Sequence, residues 1–520
     1  MGVALVALPV LYLAIRAAGV DTETARRIAD VDTLVVMARS VGLAAAVAAC
    51  TIAIALPFAW LTTRSDLPAR RLFAVLGALP LVIPSYVGAL ALIGALGPRG
   101  LLQQLLEPLG VDRLPDVHGF WGSLVALTLF TYPYVLLLVS ATFTRMDTTL
   151  ERAARSMGLT ARQSFVRVTL PQLRPAIAAG GLLVALYVLS DFGVVSFMRY
   201  GTFTREIFVH YNSLFDREGA ALLSLVLCVL TVLVLAIEVR ARGRVESSTR
   251  RVQAADSEPP VGLGRWRALA IAFCVSVITA ALLLPMGVLT YWLVDAAREA
   301  PFTAGELWEL TYNSLLASGS AALLAVALSL PIAVLVVRYP GRLSSSLERL
   351  TYLGFALPGI VIALSLVFLA TRYAFGLYQT LAIVVLAYVI RFLPQAVGSS
   401  RTAIARVNPR LESASRSLGH TRLETFRRIT LPLSAPGVFA GGVLVFLTAM
   451  KELPATLILR PSGFDTLATA IWARAGVAAY SQAAIPALVL VVVSAVPLYL
   501  LVIARPAARA SSEMAAEQSV

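Results

Sequence analysis

The sequence predicts an all-α, polytopic transmembrane protein of about twelve spans, in two parallel six-span repeats. Three observations carry this expectation. The 520 residues are 58% apolar and only 14% charged, with a mean hydropathy of +0.82. They contain twelve long apolar runs, and the second six repeat landmarks of the first six. A soluble domain is about 45–50% apolar, whereas a span takes about 20 apolar residues, so this chain supplies about a dozen. The composition excludes a soluble enzyme, a disulfide scaffold and a disordered chain.

The runs, each bounded by charged or Gly/Pro-rich stretches, fall in order near 2–18, 38–61, 72–96, 119–142, 176–198 and 217–238. The second set falls near 268–293, 313–337, 350–370, 378–399, 437–459 and 482–504. Their length and lack of alternation predict helices, which satisfy their backbone internally where open strands cannot in lipid. The first run also has the length of a signal-peptide core. It lacks a charged start, and Arg16 would interrupt a cleavage region, so a span is the preferred reading. That run has a shorter apolar lead-in than its partner around Leu284-Pro285, which places the expected true start upstream.

Basic residues set the orientation. With a cytoplasmic N-terminus, the inner loops 62–72, 144–175, 239–267, 338–349, 391–436 and 505–520 hold 29 of the 43, and 12 fall outside. This predicts both termini in the cytoplasm. The net charge of +14 is thus a record of topology rather than a sign of nucleic acid. Lys451 is the only lysine and follows no glycine loop, so no phosphate-binding loop exists in this chain. Any ATP must be bound by another subunit. Cys50, Cys228 and Cys274 sit singly in apolar runs, and His118, His210 and His420 lie far apart; no metal-ligand motif is formed.

Self-comparison is the most informative step. At an offset of 261, Pro133 matches Pro394, Gly158 matches Gly419, Val168-Thr-Leu-Pro matches Ile429-Thr-Leu-Pro, and Gly180-Gly181 matches Gly441-Gly442. Upstream the offset becomes 278 for Ala-Leu-Pro at 78–80 and 356–358, then 274 for Leu56-Pro57 and Leu330-Pro331, which implies an insertion between 96 and 118. Six spans per half give the copies one orientation, not an inverted one. The expected divisions are 1–240, a linker over 241–266, 267–505, and a tail over 506–520.

Both halves place a long basic loop after their fourth span, 144–175 and 402–436. Each has a helix-compatible stretch, a glycine, nine residues, and aliphatic-x-Leu-Pro. The spacing predicts a helix lying along the membrane face, stopped at Gly158 or Gly419, before the chain re-enters past Pro171 or Pro432. The arrangement resembles the E-A-A-x3-G-x9-I-x-L-P loop of ABC importer permeases. The match holds at Ala153, Ala154, Gly158, Val168, Leu170 and Pro171, and again at Ala414, Gly419, Ile429, Leu431 and Pro432. It departs at the family's glutamate, where Arg152 and Ser413 stand while Glu151 and Glu412 lie one residue earlier; Ser415 replaces an alanine.

The fused halves, with Lys451-Glu-Leu-Pro-Ala-Thr456 and Gly463-Phe-Asp-Thr-Leu-Ala-Thr469, look like ferric-iron importer permeases. Ser190-Asp-Phe-Gly193 and Arg199-Tyr-Gly-Thr-Phe-Thr204 fit the same resemblance. It implies a type I importer permease in a bacterial inner membrane, with no cofactor and no bond chemistry of its own. Two ATPase copies would dock around 148–161 and 409–422, and an external binding protein would deliver ferric iron. Thiamine import, and an ion-gradient carrier with parallel halves, are the alternatives. Lipid is the remaining partner; nucleic acid is not. Asp191, Lys451 and Glu452, at repeat-equivalent places in the fifth spans, are expected either to line the translocation path or to form an ion pair between the halves, since charge at membrane depth is costly.

Overall fold

The computed structural model describes Pro9, Leu11, Tyr12, Ile15 and residues 31–98, 100–146, 148–249, 260–299 and 302–497. Among these, ten helices are long and apolar enough to cross a membrane, and one bent pair makes eleven. The expected first span and the tail lie largely or wholly outside the described residues, as does 250–259 of the linker. The regular elements described are helical; one isolated bridge joins Ser65 to Val261.

The chain forms two compact units, Asp21–Val294 and Met1–Val20 with Asp295–Val520. In the first, α1 (Val31–Arg64) is followed by α2 (Arg70–Ala78), α3 (Ser85–Leu96), α4 (Phe120–Arg145) and α5 (Thr149–Ser156). Then come α6 (Leu170–Ser190), α7 (Gly193–Phe197), α8 (Phe203–Asn212), α9 (Arg217–Thr249), α10 (Arg267–Ile278) and α11 (Leu284–Glu299). Helices α1, α4 and α6 pack on one another, with Val47, Phe58, Leu127, Tyr132 and Val184 buried among them. Gly180 makes the α4–α6 approach possible: a Cβ there would lie 3.2 Å from the Val135 Cα.

The second unit continues with α12 (Ala304–Arg338), α13 (Arg342–Ala356), α14 (Gly359–Tyr373), α15 (Leu381–Arg406) and α16 (Pro409–Ser417). It ends with α17 (Leu431–Met450), α18 (Pro454–Leu459), α19 (Leu467–Gly476) and a span over Tyr480–Pro497. Here α12, α15 and α17 form the same mutual packing, and a Cβ on Gly441 would lie 3.6 Å from the Ala396 Cα. The repeat is therefore one of packing as well as of motif.

The compact units do not coincide with the linear halves. Helix α10 packs against α2 within the first unit, where Phe273 lies 6.3 Å from Phe58 between ring centroids. In the second unit the Tyr12 hydroxyl donates to the Phe368 carbonyl at 3.4 Å, and its ring meets Tyr373 edge-on.

The third span of each half, expected as one helix over 72–96 or 350–370, is broken. The axis turns by 100° between α13 and α14. Pro84 and Pro358 stand at the breaks with near-identical backbone (φ −59°, ψ 137° and 143°), each after an extended residue, Ile83 or Leu357. A proline forces this on its predecessor and cannot continue the preceding helix. The pairing also corrects the repeat register: Pro84 with Pro358 keeps the 274 offset of the preceding span, so the offset of 278 is not structural. All the length difference then falls between α3 and α4, where the first half carries a short extra helix, Leu101–Leu106.

Candidate functional site

The two loops after the fourth spans fold alike. Helices α5 and α16 end in the same turn: the Leu159 N–H donates to the Ala154 carbonyl at 3.2 Å, and the His420 N–H to Ser415 at 3.3 Å. Gly158 and Gly419 sit at φ +90° and +89°, where a side chain is strained. The next helix starts at once, at Ala161 and Arg422, through capping boxes of Thr160 with Gln163 and Thr421 with Glu424. The helical rod that contains Pro171 or Pro432 thus begins about ten residues before the proline. Those prolines, after Leu170 and Leu431, lie just past a π-turn (Phe165–Thr169, Phe426–Thr430). A proline has no N–H to give the preceding turn, and the wider turn absorbs that loss.

The acidic residues that sequence alone left unsettled are placed by geometry. Glu151 accepts a hydrogen bond from Thr169 Oγ1 at 3.3 Å, and Glu412 from Thr430 Oγ1 at 2.8 Å, the same contact in both copies. Glu412 is also paired with Arg338, through Nη2 at 2.9 Å and Nε at 3.1 Å. Arg152 and Ser413, at the family's glutamate position, are exposed, as are Ala153 and Ala414. Ala154 and Ser415 are buried beneath them, and the Ser415 hydroxyl is satisfied by Thr425 Oγ1 at 3.1 Å. At the tips, Met157 and Leu418 are 78% and 80% exposed, a matched pair of unpartnered apolar side chains.

Asp191, Lys451 and Glu452 lie at breaks in the fifth spans, not within continuous helix. Asp191 ends α6; its Oδ1 accepts the Val194 N–H at 2.9 Å and its Oδ2 the Ser85 hydroxyl at 2.8 Å. Ser85 in turn accepts from the Tyr187 hydroxyl at 2.9 Å. Lys451 ends α17, half-buried. Glu452, 6% exposed, accepts the Ala455 N–H at 3.3 Å and pairs with Arg391 Nη1 at 2.8 Å. Both carboxylates therefore cap the short helix beyond the break (α7 or α18) and lie against the N-terminal end of α3 or α14, where a negative charge is favoured.

The sequence places Arg391 in the basic loop 391–436. The structure corrects this: it lies inside α15, which runs unbroken to Arg406. The two halves reach the same end with swapped residues. Ser85 and Phe130 in the first stand where Gly359 and Arg391 stand in the second. A Cβ on Gly359 would lie 2.0 Å from Arg391 Nη1, so glycine is what admits the guanidinium. Ser40 and Ser314 are further residues the sequence did not flag. Their hydroxyls accept the Phe203 and Leu467 N–H groups at 3.0 and 2.8 Å, fixing the starts of α8 and α19. The stretch Gly463–Thr469 borders a polar cavity of about 350 Å³ with Glu309, Asn313 and Arg474, and its Asp465 is ion-paired with Arg460.

Comparison with known proteins bears on these elements directly. The family described as binding-protein-dependent transport system inner membrane component matches residues 52–245 and 325–509. The Fe(3+)-transport system permease protein FbpB 2 of Haemophilus influenzae is 35% identical over 85% of this chain and 84% of its own length. The ferric transport system permease protein FbpB of Actinobacillus pleuropneumoniae is 25% identical over 82% of this chain and 64% of its own. The molybdenum transport system permease protein ModB of Mycobacterium bovis is 29% identical, and 48% of this chain spans 94% of it. A relative of half the length matches what one half of a fused chain contains. With its repeated helical halves and two matched segments, the chain belongs to the binding-protein-dependent transport system inner membrane components, as a fused two-half permease of the ABC type: a transport component rather than an enzyme.

Proposed function

We propose that this permease imports ferric iron, released by a binding protein at the outer face and driven by ATP hydrolysed on two copies of a separate ATPase. The observation that carries the substrate is the 35% identity, over 85% of the chain, to a relative named for Fe(3+) transport. The loops around 148–161 and 409–422 are the ATPase docking elements. Two copies of one fold, each ending in an exposed apolar tip, support two identical partners. On this reading the docking loops and both termini face the cytoplasm, and residues 1–240 and 267–505 are the two functional halves, joined through 241–266. Asp191 in the first half, and Glu452 next to Lys451 in the second, act at the translocation path by each holding the broken span of its own half in shape. The resting charge of Glu452 is balanced by Arg391 rather than by cargo.

The test is uptake of radioactive Fe(III) by cells whose own ferric importers are deleted and which carry this chain with its neighbouring genes. Vanadate-sensitive uptake, unaffected by excess thiamine or molybdate, is the expected result. Competition by either solute would overturn the iron assignment. Uptake insensitive to vanadate but abolished by an ionophore would overturn the ATP-driven mechanism in favour of an ion-gradient carrier.

A further inference from the structure

In the second unit the Arg338 side chain makes four hydrogen bonds to three acceptors. Its Nε and Nη2 hold Glu412 on α16, and the same Nη2 donates to the Ile404 and Val407 carbonyls at 3.2 and 3.0 Å. Those carbonyls end α15, where the last turn of a helix leaves acceptors unsatisfied. Glu412 also takes the Thr430 hydroxyl, at the foot of α17. Arg338 is itself the last residue of α12. The groups are largely shielded, with Arg338 17% and Glu412 16% exposed, so the pair is less screened than a surface ion pair. An arginine fork fixes direction as well as distance, which a point charge does not.

The first half is built differently at the same place. Arg64, equivalent to Arg338 at the 274 offset, lies over the Phe143 ring at 6.0 Å, and Glu151 keeps the threonine contact at 3.3 Å. The one-residue displacement of Glu412 from the family's glutamate position matters here. It turns the carboxylate about a quarter-turn inward on the helix, toward Arg338, while Ser413 takes the outer face.

We infer that the Arg338–Glu412–Thr430 cluster is a rigid joint fixing helix α16 to the ends of three spans, α12, α15 and α17, so that a displacement of α16 moves all three together. Arg338 is a positioning residue. Its hydrogen bonds all go to Glu412 and to the end of α15. The inference rests on the permease reading only for what drives α16; the joint itself is a property of the chain.

The experiment uses the full chain, with Cys50, Cys228 and Cys274 replaced by alanine and spin labels at Leu418→Cys and Leu335→Cys, in lipid nanodiscs. A narrow distance distribution is expected, and Arg338→Ala should broaden it. In cells, Arg338→Ala should lower Fe(III) uptake by about tenfold or more while the ATPase still co-purifies and hydrolyses ATP. Arg338→Lys and Glu412→Gln, which keep bulk and part of the bonding, should fall between; they also serve if the alanine variant does not accumulate. An unchanged distance distribution overturns the joint. So does loss of ATPase co-purification in Arg338→Ala, which would make the pair a docking contact. If the wild-type chain brings down no ATPase, the permease reading fails, and the spin-label result alone decides the joint.

Discussion

At the scale of single residues, the two carboxylates at the breaks of the fifth spans, Asp191 and Glu452, are satisfied by local geometry. Glu452 has an N–H, a helix end and a guanidinium; removing one partner of a buried pair leaves the other uncompensated. Arg391→Ala is therefore expected to destabilise the chain by about 3–5 kcal/mol, read as lowered thermal resistance of the purified protein in detergent. Ser85→Ala removes a hydroxyl donor from the Asp191 carboxylate and should cost about 1.5–3 kcal/mol, a smaller loss in the same measurement. Gly359→Ser tests the swap between the halves. Its Cβ would clash with both Arg391 Nη1 and Glu452 Oε1, so the pair must shift, and the variant should melt below wild type. A wild-type melt for Gly359→Ser would refute that account.

At the scale of elements, the two loops after the fourth spans show what a spacing encodes. The glycine and the Leu-Pro are readable in sequence because each is a local solution to a backbone problem: a left-handed turn and a missing donor. Gly419→Ala should cost about 1–2 kcal/mol by forcing a side chain into that left-handed turn, visible as faster amide exchange at residues 417–421. The tips make a separate prediction. Met157→Asp with Leu418→Asp changes two side chains about four-fifths exposed, so the melt of the isolated permease should stay as wild type while ATPase co-purification is lost. Retained co-purification would move the docking surface elsewhere. What the spacing did not reveal is which glutamate bonds where. Glu412 is one position from the family pattern, and only its inward turn toward Arg338 and Thr430 gives it a role.

At the scale of the whole molecule, the compact units cross the linear halves. Helix α10 belongs with α2 in the first unit, Cys274 is fully buried there, and Trp292 lies where a Cβ on Gly94 would stand. A fragment of residues 21–294 should therefore resist heat in detergent better than one of 21–249, followed by the helical circular dichroism signal. Equal melting would show that α10 and α11 add nothing to that unit.

The sequence by itself determined the helical class, the twofold repeat of six-span halves and the paired Gly-to-Leu-Pro loops, because hydropathy and turn chemistry are written in local composition. It did not determine the breaks in the third and fifth spans. An apolar run reads the same whether or not it bends, and prolines at 80 and 84 leave the position of the bend open until packing selects Pro84. Nor did it separate Arg391 from the loop arginines. Only tertiary structure brings a guanidinium, a glycine and a carboxylate from three distant segments within bonding distance, and membrane depth makes that meeting necessary, since none of the charges is tolerated there alone.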